Sequence, residues 1–146
     1  MGTFFLISST LLAGGAAASS LHRQRLSQNL LRLAVLGLWL AVIFAISLLV
    51  RAKTNYELAA DYSRPGLSAP RRAMGLWGGS AGSLLFFSTV VASVIAFTPA
   101  LKFQRLAPPV FIAVLAATSA WLNSPFEQLD NPAIEGSGLT PILEHW

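Results

Sequence analysis

Trp77 stands among four glycines, at positions 75, 78, 79 and 82, directly behind the basic pair Arg71 and Arg72. Glycine carries no side chain, so this spacing clears a surface that a flat, apolar ligand can use, with Trp77 stacking beside it. Gly75 with Gly79, and Gly78 with Gly82, are also small-xxx-small pairs, a spacing that lets another backbone approach closely. The sequence leaves both uses open: a binding surface built from Trp77, Gly78, Gly79, Gly82 and Ser83, or a helix-packing surface. Other chemistry is thinly provided. The absence of cysteine excludes disulfides, thiolate metal sites and a thiol nucleophile. His22 has arginine neighbours and is expected in a solvated loop. The polar stretch from Arg51 to Arg72 holds no metal-ligand spacing and no nucleophile beside a base. No catalytic residue and no metal site is assigned.

The elements that must position this surface follow from composition. Hydrophobic residues make up 54% of the chain and charged residues 11%, with a mean hydropathy of +0.61, whereas a soluble domain carries roughly 25% charged residues. This is the composition of a membrane protein. The net charge of +4 would point a soluble chain toward nucleic acid. Here the basic residues flank apolar runs, so they mark bilayer boundaries and the partner they imply is membrane lipid, not nucleic acid.

The first apolar run, Thr3 to Ser19, has no Lys or Arg before it and small residues at its end. A secretory signal peptide carries a basic n-region, so an uncleaved helix is expected instead. Its basic residues follow it, at Arg23, Arg25 and Arg32, an order that favours a translocated N-terminus. Leu33 to Val50 is an unbroken uncharged run of 18 residues, lengthened by Leu30, Leu31 and a snorkelling Arg32. Trp39 lies inside it and is expected to pack against a neighbouring helix or lipid.

In the linker that follows, NYELAADYS fits one or two amphipathic turns, whereas Pro65, Gly66 and Pro70 argue against a continuous helix. Tyr56 and Tyr62 suit an interface. From Ala73 to Leu101 there are 29 uncharged residues, more than the roughly 20 needed to cross the hydrocarbon core. A third span is expected from about Leu76 to Phe97, stopped by Pro99. Pro108 and Pro109 open a fourth, since the first helical turn tolerates proline, and it is expected to end near Asn123, before Pro125.

The expectation is an all-α, polytopic integral membrane protein in one domain, 1–146. Its four transmembrane helices fall at about 3–19, 30–50, 76–97 and 107–123, with a linker at 51–75 and a tail at 124–146. Basic residues divide five against five between the two sides, but they are denser in the two short loops. That gives a modest preference for both termini outside.

Three stretches in register carry a resemblance. The first is Trp77-Gly78-Gly79-x-x-Gly82-Ser83-Leu84-Leu85, after a polar linker with tyrosines. The second is Asn123-x-Pro125-Phe126-Glu127, after the next span, and the third is Glu135-Gly136-x-Gly138-Leu139-x-Pro141-x-Leu143. In order and spacing, Tyr56 to Trp146 resembles the N-terminal part of the CcmF/NrfE family of cytochrome c haem lyase subunits. The first two spans match by hydropathy alone.

The resemblance implies membership of the machinery that receives haem on the outer face of the bacterial cytoplasmic membrane, or its organellar equivalent, and attaches it to apocytochrome c. It implies as partners the remaining haem lyase chain or C-terminal part, and other cytochrome c maturation proteins. Family members are several times longer, and their haem-ligating histidines lie beyond the region equivalent to Trp146, so His145 inherits no ligand role. The family's polar pair between the glycines is replaced here by Ser80 and Ala81. The expected role is therefore a scaffold and wall, with haem held mainly by the partner portion. A structural subunit of another membrane complex is the alternative.

Overall fold

The computed structural model describes residues 2–19, 24–64, 66–98, 107–122 and 124–129. The third resemblance stretch, His22, His145, Asn123 and Pro99 lie outside the described residues. Six α-helices follow in chain order: α1 (Gly2–Ser19), α2 (Gln24–Val50), α3 (Glu57–Tyr62), α4 (Ala69–Met74), α5 (Ser80–Phe97) and α6 (Ala107–Ala117). A 3-10 turn, Gly75–Trp77, joins α4 to α5, and a π turn, Thr118–Leu122, ends α6. No strand occurs among the described residues.

The longest helix, α2, is the axis of the bundle. Leu31, Ala34, Val35, Leu38, Ala41, Val42, Ala45, Leu48 and Leu49 are buried along it, a three-and-four spacing that makes one stripe on a helix of 3.6 residues per turn. Leu33, Leu36, Leu40 and Ile43 lie on the opposite face and are exposed. A helix apolar on both faces has protein on one side and lipid on the other.

Against the buried stripe packs α1, through small residues. Ser9, Ala13 and Ala16 are fully buried, and Gly37 of α2 sits so close to the Ser9 hydroxyl that a methyl group there would collide with it. Lipid tails are as apolar as leucine, so close backbone approach takes over much of the work that the hydrophobic effect does in water. The hairpin is tied by the Ser27 hydroxyl, which donates to the carbonyl of Ala16 at 2.9 Å. Helix α6 packs on α1, and α5 packs on both α2 and α6.

Three helices are long and apolar enough to cross a membrane: Gly2–Ser19, Arg25–Val50 and Ser80–Phe97. The fourth expected crossing forms a shorter apolar helix, Ala107–Trp121. As expected, its prolines lie in its first turn.

At the C-terminus of α2 the amide of Lys53 donates to Leu48 and that of Ala52 to Leu49, the paired bonds of a Schellman cap. The cap forces Ala52 to a φ of 48°, a left-handed conformation usually occupied by glycine.

The linker then folds over this end of the bundle. Its expected amphipathic turns are α3, and α4 begins only at Ala69, with Gly66 outside both helices; Pro65 lies outside the described residues. The Ser63 hydroxyl, fully buried, donates to the carbonyl of Leu49 at 2.6 Å. The segment after α6 returns to the linker in an antiparallel bridge between Tyr56 and Gln128, with the Glu57 amide on Glu127 and the Leu129 amide on Asn55, both at 3.0 Å. Phe126 packs on Phe44 with ring centroids 5.6 Å apart and covers Gly2. The start of α1, the end of α2, the start of α5 and the segment after α6 therefore meet at one end.

Candidate functional site: the glycine and tryptophan turn

The third span does not begin as a continuous helix at Leu76. Gly75–Trp77 closes a 3-10 turn through the Gly78 amide on Gly75. Gly79 is extended, at φ −118° and ψ 162°, and α5 starts at Ser80. The reason is steric. The Leu76 carbonyl folds back onto the first turn of α5, into the space a Cβ at Gly82 would take. The Ser83 hydroxyl holds that fold by donating to the Trp77 carbonyl at 3.2 Å. Gly82 and Ser83 are thus used in turning the chain into α5.

Gly75, Gly78 and Gly79 receive Tyr62 of α3. A Cβ at Gly78 would lie 2.6 Å from Cδ1 of its ring, and one at Gly79 would lie 2.5 Å from Cε2 and 2.8 Å from Cζ. At Gly75 the near neighbour is the Tyr62 carbonyl, at 2.7 Å. The close backbone approach expected of small residues occurs at Gly75, against the Tyr62 carbonyl, and at Gly82, against Leu76. The ring that covers Gly78 and Gly79 comes from the chain's own linker.

Trp77 is left 52% exposed. Its ring meets Phe86 edge-on, with centroids 5.1 Å apart, and Phe86 meets Trp39 at 6.4 Å and 89°. The Trp39 indole donates to the Ser93 hydroxyl at 3.0 Å, and Ser93 donates to Thr89 at 2.7 Å. Trp39 packs against a neighbouring helix as expected, and an aromatic strip crosses the α2–α5 seam. Sequence reasoning did not find the strip or the Tyr62 seat; Tyr62 was marked only as suited to an interface, and Phe86 carried no signal beyond being aromatic.

Beside the Tyr62 ring lies a cleft of about 70 Å³ lined by Glu57, Asp61, Gly79, Ser80, Ser124 and Pro125. Small-molecule pockets run to about 300–1,000 Å³, so this one suits a few waters. No group of three or more histidine, aspartate or glutamate side chains able to hold a metal occurs among the described residues. Haem iron takes an axial His, Cys, Met or Tyr. Of these types the described residues hold Tyr56, Tyr62 and Met74, and Tyr62 is packed on the glycines. The chain matches no protein-family model, no curated protein and no solved structure.

Proposed function

We propose that this chain is the N-terminal portion of a membrane haem lyase of c-type cytochrome biogenesis. It acts as scaffold and wall, while a partner chain or C-terminal part carries the haem-ligating histidines and apocytochrome c docks on the outer side. In this reading the protein is polytopic, with four crossings in the bacterial cytoplasmic membrane or its organellar equivalent, and both termini face outward. One observation supports it above the others. Two stretches that carry the family resemblance, Trp77–Leu85 and Pro125–Glu127, are some forty residues apart in sequence and meet at one end of the bundle, where Ser80 and Pro125 line the same cleft. Trp77, half exposed beside Phe86, is the side chain there best placed to meet a porphyrin edge or the apocytochrome.

The seating of Tyr62 favours a second reading, in which the glycines serve packing alone and the chain is a structural subunit of another membrane complex. Trp77→Ala separates the two. Under the haem lyase reading it impairs cytochrome c maturation while the chain still assembles. Normal maturation with Trp77→Ala would reject the role given to the tryptophan.

A further inference from the structure

Helix α4 and the turn that follows it carry side chains that remain at the surface of the bundle. No residue of α4 is buried, and Arg71, Met74 and Trp77 are exposed, Met74 by 49%. The element packs beside α2, where a Cβ at Gly75 would approach Leu49 at 3.1 Å, and it feeds directly into α5. It therefore bridges the ends of two helices long enough to cross a membrane.

Neither Arg71 nor Arg72 forms an ion pair with a carboxylate among the described residues, whose acids at this end are Glu57 and Asp61, lining the cleft on α3, and Glu127 in the segment after α6. The Nε of Arg72 is buried without a hydrogen-bond partner, so the stem is packed in place and the terminal guanidinium nitrogens are what remains open. Two arginines, a methionine and a tryptophan within seven consecutive residues supply the groups that match a phosphodiester above an acyl chain. Arginine pairs with phosphate oxygens in a two-pronged geometry, and tryptophan settles at the boundary between headgroup and hydrocarbon.

We infer that Arg71, Arg72, Met74 and Trp77 form a binding site for an anionic phospholipid, selecting it by headgroup charge from the leaflet at this end of the bundle. The site serves whichever complex the chain joins, and does not depend on the haem lyase reading.

The test uses the chain with Trp39→Phe, Trp121→Phe and Trp146→Phe, so that Trp77 alone fluoresces. It is reconstituted in phosphatidylcholine vesicles carrying a minor, equal fraction of brominated phosphatidylglycerol or brominated phosphatidylcholine. Each arginine near an anionic surface contributes on the order of fivefold in local enrichment. Brominated phosphatidylglycerol should therefore quench Trp77 well beyond brominated phosphatidylcholine. Arg71→Gln with Arg72→Gln should bring the two to parity, and high salt should narrow the gap. Equal quenching in the parent protein overturns the proposal, as does a preference that survives the double substitution. Native mass spectrometry of the unsubstituted chain released from the same mixed vesicles gives an independent reading. Retained phosphatidylglycerol should fall when both arginines are replaced, and unchanged retention again overturns it.

Discussion

Gly78→Ala should change the sign of its effect on stability according to what stands at position 62. Gly78 has φ −69° and ψ −29°, a helical conformation that alanine adopts freely, so on the backbone alone the substitution gains roughly 0.5–1 kcal/mol. The added methyl, however, would lie 2.6 Å from Cδ1 and 3.3 Å from Cγ of Tyr62. Those atoms are at the root of the ring, where a small rotation cannot clear them, and Gly79 closes the other side. Overpacking of this kind costs about 1–3 kcal/mol. The net expectation is a loss of about 1–2 kcal/mol with Tyr62 present. With Tyr62→Ala the obstruction is gone, and the same Gly78→Ala should be neutral or stabilising by up to about 1 kcal/mol. Reversible unfolding in mixed dodecylmaltoside and dodecyl sulfate micelles, run on all four members of the cycle, measures the difference. Sites that do not interact add to within about 0.3–0.5 kcal/mol, so additivity at that level would refute the assignment of the glycines to Tyr62.

Three further expectations rest on separate contacts and use the same unfolding assay. Ala52→Gly should stabilise the protein by about 1 kcal/mol, because glycine occupies the left-handed cap position without the Cβ penalty; a loss of stability would contradict the Schellman geometry at the end of α2. Gly37→Ala should destabilise the α1–α2 hairpin by about 1–2 kcal/mol through collision with the Ser9 hydroxyl, and Ser9→Ala should relieve most of it. Gly14→Ala, which meets nothing within 4 Å, should in contrast be harmless. Phe126→Ala should cost about 3 kcal/mol, since the ring is 4% exposed and fills the space between Phe44 and Gly2. It should also increase amide exchange at Glu57 and Leu129, whose bonds tie the segment after α6 to the linker.

The class and the coarse layout were legible from composition and run lengths. An uncharged stretch of 18 or more residues must find an apolar medium whatever its neighbours do, so α1, α2 and α5 lie close to where hydropathy put them. Local chain chemistry also sufficed for the separation of α3 from α4 around Gly66 and for the prolines opening α6, because a missing N–H or an unrestricted φ acts within one turn. Those rules stop at the turn itself. Ala52 in a glycine position was invisible, because the pressure that puts it there is the closing of the cap, not a preference of alanine.

For the candidate site, the sequence alone determined that a glycine-cleared, tryptophan-edged turn stands where the third span enters the membrane, with two arginines ahead of it. What fills the cleared surface was decided only by the tertiary structure. Small residues make room without specifying an occupant, and a helix, a ligand and an aromatic ring satisfy the same spacing equally well. Folding the linker back over the bundle selected Tyr62. The same fold left α4 without a buried residue and Arg71 and Trp77 exposed, an arrangement that depends on where α2 ends in space and not on any pattern in the linker.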